Sequence, residues 1–276
     1  MKHGTRTSIG DGILYPAEEQ ELRATIGRLL GSTNKPATEA LALISPHGAY
    51  TYTETLIASA FKRAYDRPVQ TAVIVGPAHS DRTHAVYLPG YRAFNTPLGD
   101  IAVNQGAVEH LLDSDKTFRL WNGVHDEEHC IEVQLPFLQY LFPEAELVPM
   151  LVGGLSAPAV RRCARALSLT FSGALQYILF VVTCNCSSYL LGRDAEREAD
   201  VFVELVLNQD SAGMWRAHQK RSISSCGVAC VDLVFSFPGI QWRVDMLGRE
   251  SSDRIDGQEH KSVHYAAFSL AAKWEG

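Results

Sequence analysis

Two histidines follow two apolar segments in the same way. The segment ALALI at residues 40–44 leads through Ser-Pro to His47, and TAVIV at residues 71–75 leads through Gly-Pro-Ala to His79. Both segments are short and apolar throughout, which predicts buried parallel strands. Open α/β sheets bind ligands outside the carboxyl ends of their strands, so we expect the two imidazoles at one site. Imidazole is a common metal ligand, which makes a metal site one possibility.

The motif HDEEH at residues 125–129 offers a different chemistry. H-x-x-E-H is the signature of inverted zinc proteases, and it would assign His125 and His129 to zinc and Glu128 to the general base. However, the motif follows Trp-Asn-Gly at a predicted loop-to-helix junction, and no obvious third ligand follows on a later helix. We therefore favour a charged first helical turn whose acidic residues face the positive end of the helix dipole.

The cysteines offer sulfur ligands but no disulfide framework. Six are present, at Cys130, Cys163, Cys184, Cys186, Cys226 and Cys230. They are too few and too scattered for a disulfide scaffold, so we expect free thiols. Positions 184 and 186, and positions 226 and 230, resemble halves of a metal site, but neither pair has the C-x-x-C spacing of zinc ribbons. A four-cysteine zinc site is therefore disfavoured, and Cys163 has the pattern of a surface helix.

The elements that position these residues alternate along the chain. Two more apolar segments, ELVPMLV at 146–152 and YILFVV at 177–182, predict further strands. Helical patterns occupy ETLIASAFKRAY, EEHCIEVQLPFLQYLF, APAVRRCARALSL, GRDAEREADVFVELVLNQD and CGVACVDLVFSF. Two late segments, IQWRVDMLG and SVHYAAFSLAA, can close the sheet as strands. This alternation predicts an α/β layered fold, and the lack of a linker or repeat predicts one domain over residues 1–276.

Composition limits the classes of partner. The 276 residues carry a formal net charge of -6, and no Lys/Arg stripe is interleaved with aromatic residues, which argues against nucleic-acid binding. The first residues are polar and lack the apolar core of a signal peptide, and no run of about 18 apolar residues occurs. We therefore expect a soluble, cytoplasmic protein without a membrane partner.

A series of segments resembles one known family in order and spacing. They are GILYPAEEQELRATIGRLL, ISPHGAYTYT, VIVGPAHS, EEHCIEVQLPFLQ, VPMLVGG, SSCGVAC and SVHYAAFSL. Together they resemble the Memo family, also called AmmeMemoRadiSam system protein B, over nearly the full chain. The resemblance implies a three-layer α/β/α fold with a mostly parallel central sheet, similar to class III extradiol dioxygenases of the LigB type. It also implies association with AMMECR-type and radical SAM proteins.

The resemblance further implies a mononuclear non-haem metal site. The family positions in the P-H, G-P-x-H and C-G motifs fall on His47, His79 and Cys226. Two imidazoles and a thiolate suit iron or copper, with zinc also possible. Cys226 precedes a predicted helix, whose positive end favours the thiolate. The expected pocket also includes Tyr50, Tyr52, His129 and Glu132.

The chain departs from the family where a proton carrier is expected. Family members carry S-S-D-x-S-H after the fourth strand, whereas this chain has TCNCSS, with Asn185 in place of the Asp and Ser188 in place of the His. In ring-cleaving relatives that His is the expected acid/base, so its loss predicts weak or absent catechol cleavage.

Three further cysteines lie in the motifs where this chain differs from the family. Cys184 and Cys186 could bring sulfur to the pocket, although we favour ordinary small apolar side chains there. Cys230 stands where the family motif C-G-x-x-P has its proline, and it could pair with Cys226 or share its metal.

Three functions are compatible with these residues. The first is a redox-capable metal-binding protein with iron or copper. The second is a metal-independent module that binds a peptide or small molecule on a degenerate dioxygenase-like scaffold. The third, a true extradiol dioxygenase acting on a catechol, is disfavoured because the usual site has a carboxylate where this chain has Cys226.

Overall fold

The computed structural model of the chain describes residues 4–32, 40–80, 83–253 and 261–274. Buried apolar side chains from these segments form one continuous core. Within the same segments, no helix combines the length and apolar character needed to cross a membrane.

The strands of the described residues form two sheets. In chain order the strands are β1 (Thr5–Arg6), β2 (Ala40–Ser45), β3 (Thr71–Pro77), β4 (Val86–Leu88), β5 (Ala93–Thr96), β6 (Gly99–Ala102), β7 (Phe118–Leu120), β8 (Glu146–Val152), β9 (Ile178–Thr183), β10 (Ile240–Ser251) and β11 (His264–Trp274). The large sheet has the order β10-β11-β2-β9-β3-β8-β4-β7, and a small sheet has the order β1-β5-β6.

The large sheet is parallel in its centre, antiparallel at one edge, and at the other edge ends in the parallel pair β4 and β7, which runs opposite to the centre. Strands β2, β9, β3 and β8 pair in parallel, whereas β10, β11 and β4 each have an antiparallel neighbour. Every residue of β2, β3 and β9 is buried, as expected for central strands covered on both faces.

Helices cover the large sheet in two groups. They are α1 (Glu19–Ser32), α2 (Tyr50–Phe61), α3 (Gln105–Ser114), α4 (Asn122–Glu127), α5 (Leu135–Leu141), α6 (Ala157–Thr170), α7 (Gly192–Leu207), α8 (Ser211–Gln219) and α9 (Val228–Phe235). Helices α1, α2 and α5 pack together, with α2 against β2, β10 and β11. Helices α3, α6, α9, α8 and α7 form a second connected layer, with α9 against β9 and β3. The α/β class with a large sheet flanked by helices is therefore confirmed.

The long apolar segments fold as predicted. The four predicted strands correspond to β2, β3, β8 and β9, and the two late segments form the antiparallel pair β10 and β11. The helices predicted at APAVRRCARALSL, GRDAEREADVFVELVLNQD and CGVACVDLVFSF correspond to α6, α7 and α9. The prediction that Cys163 lies on the exposed side of a surface helix is wrong, because this side chain is completely buried within α6.

The continuous helix predicted over EEHCIEVQLPFLQYLF is wrong. Helix α4 ends at Glu127, Glu128 has an extended backbone, and a 3-10 turn at Glu132–Gln134 precedes α5. The Arg6 guanidinium accounts for the break, because it donates to the carbonyl oxygens of His125 at 2.9 Å and Glu128 at 2.9 Å. These are carbonyls that a continuing helix would have used internally.

Candidate functional site

The site lies at the carboxyl ends of three adjacent parallel strands. Strand β9 lies between β2 and β3, and His47 and His79 each follow the end of their strand by two residues. Cys226 comes from elsewhere, two residues before α9, which packs against β9 and β3. The topology therefore brings residues from three distant parts of the sequence to one edge of the sheet.

His47 is buried and held through its Nδ1 atom. Its Nδ1 lies 2.9 Å from the Thr183 hydroxyl, and its backbone N–H donates to Asn185 Oδ1 at 3.2 Å. Gln134 extends this support by donating to the Pro46 carbonyl at 2.7 Å and to Thr183 at 3.4 Å. Because Nδ1 faces Thr183, Nε2 is the ring nitrogen left to face the site.

His79 is more open and is held by a buried carboxylate. Its backbone N–H and its Nδ1 lie 3.0 Å and 2.9 Å from Glu128 Oε2. The other oxygen of Glu128 accepts the backbone N–H groups of His129 and Cys130 at 3.0 Å each. The His79 side chain is 41% exposed, so one edge of the ring is open to solvent.

Glycine is required where the chain reaches His79. A Cβ on Gly76 would lie 2.4 Å from Cys130 Sγ and 2.8 Å from Thr183 Cγ2, which is closer than atoms can approach. The end of β3 therefore packs directly on the strand and loop that support the two histidines.

The three candidate ligands converge. Ligand atoms of His47, His79 and Cys226 all lie within 4.8 Å of one another, and His47 Nε2 is 3.6 Å from Cys226 Sγ. Two ligands of a tetrahedral ion with bonds of about 2.0 and 2.3 Å are about 3.5 Å apart, so this separation fits a shared ion. Among the described residues, no other group of three His, Cys, Asp or Glu side chains is close enough to hold a metal.

The ionisable groups of the site lie in contact with partners of opposite charge. Burial acts to raise the pKa of Cys226, but the His47 and His79 rings overcome this effect and lower it to about 5. Hydrogen bonds to Cys226 and then Glu128 raise the pKa of His79 to about 10. Burial likewise acts against ionisation of Glu128, yet its contacts with His79 and backbone N–H groups lower its pKa to about 2. The site is therefore arranged as a thiolate and a carboxylate on either side of one imidazolium.

His129 forms one wall of the same site. Its ring is nearly parallel to that of His79, with centroids 5.9 Å apart, and lies edge-on to His47 at 5.9 Å. Burial, and then the nearby His47, lower the pKa of His129, which favours the neutral ring. A neutral imidazole beside the ligand cluster can bind a polar group of a ligand.

The two histidines of HDEEH do not share a site. His125 is buried, its Nε2 lies 3.1 Å from the Tyr87 carbonyl, and its ring packs edge-on against Phe94. His129 lies beyond the end of α4, next to His79. The zinc-protease interpretation is therefore not supported, because the helix ends between the two residues.

Of the two predicted pocket tyrosines, one is committed to the core and the other lies near His47. Tyr50 begins α2, packs between Tyr15 and Phe137, and donates to the Val133 carbonyl at 3.0 Å. Burial is the main cause of its raised pKa. Tyr50 is therefore a core residue and does not line the pocket as expected. Tyr52 is half-buried and stacks on Tyr265, whose hydroxyl lies close to the Gly48 backbone beside His47.

Glu132 is also committed to the core. Its carboxylate forms an ion pair with the buried Arg6 and accepts the Tyr15 hydroxyl at 2.6 Å. It also accepts the backbone N–H groups of Ile9 and Gly10, at 3.0 and 2.8 Å. Glu132 therefore joins the amino-terminal segment to the loop that carries Glu128 and His129, and its carboxylate is not free to bind a ligand.

The replaced family positions have different surroundings. Asn185 bridges two ligand segments, because its side chain accepts the His47 backbone N–H and its own N–H lies 3.5 Å from Cys226 Sγ. Ser188 is exposed and forms hydrogen bonds with Ser224 at 2.8 and 3.0 Å. Asn185 thus acts at the site, whereas the Ser188 hydroxyl is used to join two loops.

The other predicted pocket thiols are buried. Cys184, Cys186 and Cys230 are fully buried, and burial is the largest cause of the raised pKa of each. All six cysteines are free thiols. None of these three belongs to the ligand cluster of the described residues.

Sequence reasoning missed the residues that orient the two imidazoles. Glu128 was assigned to a protease base or a charged turn, and Thr183 only to the TCNCSS segment after the fourth predicted strand. The signal for Glu128 was present in its position beside His129, but its partner His79 is 49 residues away in sequence. Only the fold shows that these two segments meet.

Comparisons with known proteins identify the family of the chain. The family model described as Memo-like protein matches residues 6–269. A MEMO1 family protein of Desulfurococcus amylolyticus is 25% identical over 96% of this chain and 98% of its own length. A MEMO1 family protein of Thermotoga maritima is 28% identical over 94% of this chain and 97% of its own length. The chain belongs to the Memo-like protein family.

One solved structure is also similar in outline. It is described as an uncharacterized protein, JW3007, from Escherichia coli K12, and it covers 83% of this chain and 99% of its own chain. The TM-score is 0.46 and the sequence identity is 14%.

Proposed function

We propose that this protein binds a single metal ion through His47 Nε2, His79 Nε2 and Cys226 Sγ, with iron or copper as the native metal. The observation that carries the proposal is the convergence of these ligand atoms within 4.8 Å of one another. Such close packing of two imidazoles and a thiolate is the arrangement that a borderline-soft metal ion requires.

The supporting residues favour metal binding over accidental proximity. Metal-binding histidines usually use the second ring nitrogen in a hydrogen bond to a carboxylate or another oxygen. Here Glu128 lies 2.9 Å from His79 Nδ1, and the Thr183 hydroxyl lies 2.9 Å from His47 Nδ1. Both rings are thereby held with Nε2 towards Cys226.

The donor set favours chemistry or exchange over a purely structural role. A four-coordinate ion held by three protein ligands keeps one position open to water or substrate. When bound, iron or copper would supply a one-electron redox couple at this position. The half-buried His129 and the exposed edge of His79 would then face whatever occupies it.

Metal analysis of protein purified without oxygen tests the proposal. We expect about one iron or copper ion per chain in the parent. We expect Cys226→Ser and His79→Ala each to lose most of it, because each removes one of three ligands. Cys163→Ser, which changes a thiol in α6, serves as the matched control and should keep its metal per folded molecule. Equal metal content in Cys226→Ser and the parent would remove the thiolate from the site.

A metal-independent ligand-binding module is the second candidate. The exposure of His79 and His129 favours it, since 41% and 39% of these side chains is accessible to a ligand from solvent. Unchanged thermal stability on adding iron, copper or zinc to the metal-free protein, with no bound metal recovered, would favour this candidate.

Cleavage of catechol rings is the third candidate, and similarity to LigB-type enzymes stays a prediction. We expect the iron-loaded protein to open simple catechols weakly or not at all, because neither Asn185 nor Ser188 can exchange a proton as a histidine does. Robust ring opening would contradict this expectation. Association with AMMECR-type and radical SAM proteins also stays a prediction from the family resemblance.

A further inference from the structure

Buried thiols lie beside the thiolate of the proposed metal site. Cys130, Cys184 and Cys230 are almost completely buried, and none of them belongs to the ligand cluster of the described residues. Cys184 precedes Asn185, whose backbone N–H lies 3.5 Å from Cys226 Sγ, and Cys230 follows Cys226 by four residues in α9. The proposed metal site gives these thiols no role.

Cys184 lies against the segment that carries Cys226. The backbone N–H of Asn185 lies 3.5 Å from Cys226 Sγ, so the sulfur rests against the peptide bond that follows Cys184. Standard backbone dimensions then place the Cys184 Cα within about 6 Å of that sulfur. Because the Cys226 sulfur lies this close to the Cys184 backbone, the two cysteines are candidates for a disulfide.

The neighbouring glycine allows this approach. A Cβ added to Gly227 would lie 2.0 Å from Cys184 Cβ and 2.9 Å from Cys184 Sγ. Only glycine can therefore follow Cys226 without displacing Cys184. The packing brings a second thiol against the segment that carries the proposed ligand.

Access to oxidants differs between the two sulfurs. Cys226 is half-buried and lies beside the exposed ring of His79, whereas Cys184 is 1% exposed. A small oxidant from solvent therefore reaches Cys226 first. Cys184 can react only with a group that is already inside the site.

We propose that Cys184 is a resolving thiol that forms a reversible disulfide with Cys226 when a hydroperoxide oxidises the site. The Cys226 thiolate attacks the O–O bond of hydrogen peroxide, giving a sulfenic acid and hydroxide, so sulfur is oxidised by two electrons and the peroxide is reduced. The Cys184 sulfur then attacks the sulfenic sulfur. The S–S bond forms, the S–O bond breaks, and the hydroxyl group leaves as water with the Cys184 thiol proton.

The disulfide has a consequence that rests on the proposed metal function. Sulfur in a disulfide is no longer a thiolate, so Cys226 leaves the ligand set and two imidazoles remain. The site then releases its metal under oxidation and regains it after reduction by a dithiol. Cys184 also protects Cys226 from further, irreversible oxidation to the sulfinic acid.

Peptide mapping of the full-length, metal-free protein tests the disulfide directly. After one equivalent of hydrogen peroxide and blocking of free thiols with N-ethylmaleimide, we expect a peptide pair joined through Cys184 and Cys226 that disappears with dithiothreitol. In Cys184→Ser the pair should be absent, and dimedone should instead label Cys226 as the sulfenic acid. Cys184→Ala provides a second variant with a smaller side chain, in case serine is not tolerated in this buried position.

Cys230→Ser is the matched control, since it removes another buried thiol near the site and should leave the disulfide intact. A disulfide from Cys226 to Cys230 or Cys130 would overturn the assignment of Cys184. So would equal sulfinic acid formation at Cys226 in the parent and in Cys184→Ser.

A parallel experiment with zinc separates this inference from the metal proposal. Zinc has no redox chemistry of its own, so peroxide acts only on the thiols of the zinc-loaded protein. We expect one zinc ion released per disulfide formed, measured with a chromogenic chelator. Disulfide formation in a protein that binds no metal would contradict the proposed function alone. Bound zinc with no disulfide after peroxide would contradict the resolving thiol alone.

Discussion

At the scale of single residues, the site joins an acidic thiol to a basic imidazole. With a pKa of about 5 for Cys226 and about 10 for His79, the metal-free pair at neutral pH is a thiolate beside an imidazolium. A metal ion must therefore displace the proton of His79, while Cys226 is already deprotonated. The proton that competes with the metal is held by the histidine.

Because the metal must displace the proton of His79, metal affinity should increase with pH. We expect affinity to rise with pH through the neutral range, by about tenfold per unit, because one proton leaves His79 on binding. The dependence should steepen below the pKa of Cys226, where a second proton must leave. Competition titrations with zinc at several pH values measure the slope, and a flat profile between about pH 6 and pH 8 would contradict the pairing.

The carboxylate of Glu128 makes a second prediction at this scale. Glu128→Gln removes the charge behind His79 but keeps its size, so we expect metal affinity to fall by about 10- to 100-fold. Glu127→Gln, which changes the exposed neighbouring residue, is the control and should have no effect. Equal dissociation constants for the parent and Glu128→Gln would exclude a role for this carboxylate in holding His79.

At the scale of elements, one buried ion pair shapes the loop between α4 and α5. Arg6 and Glu132 are both almost completely buried and in contact, and Arg6 also donates to the backbone carbonyls of His125 near the end of α4 and of Glu128 just after it. The amino-terminal segment thereby replaces the hydrogen bonds that a continuous helix would make. The loop that carries Glu128 and His129 depends on this replacement.

Removing the guanidinium should destabilise the fold strongly. Arg6→Met leaves the Glu132 carboxylate buried without its cation, which costs about 3–5 kcal/mol. Arg23→Met, at the exposed pair with Glu19, is the control and should cost less than about 1 kcal/mol. Urea unfolding measures both free energies. A loss below about 1 kcal/mol in Arg6→Met would show that the ion pair does not hold the loop.

At the scale of the whole molecule, acid should destabilise the fold through a buried histidine. Burial lowers the pKa of His125 from its ordinary value to about 3, and as a neutral ring it donates from Nε2 to the Tyr87 carbonyl. The unfolded chain binds this proton at a higher pH than the native state does. Stability is therefore fully present above pH 6.5 and is lost as the pH falls towards 3.

The lowered pKa of Glu128 also makes the fold less stable in acid. This contribution to stability is lost as the pH falls from the ordinary pKa of 4.5 towards about 2. We expect His125→Gln to weaken the pH dependence of the unfolding free energy between about pH 6 and pH 4 by a few kcal/mol. The exposed His110→Gln is the control and should match the parent. An unchanged slope in His125→Gln, measured by urea unfolding, would contradict a buried neutral ring.

Prediction from sequence succeeded where one local requirement dominated. A strand buried on both faces must be apolar at every position, so the segments at 40–44 and 71–75 could be recognised directly. The Pro-His and Pro-Ala-His endings then predicted His47 and His79 at one edge. Strands β4 and β7 have three residues each, which is too short for a repeating pattern of apolar and polar residues to be recognised.

The sequence by itself determined the chemistry of the donor atoms and the strands that carry two of them. Only the tertiary structure decided which neighbouring polar groups reach the site. Glu128 supports His79, whereas Glu132 is taken by Arg6, although both glutamates lie in the same short segment. The reason is physical: their partners lie 49 and 126 residues away in the chain, and such contacts exist only after the strands have paired and the layers have packed.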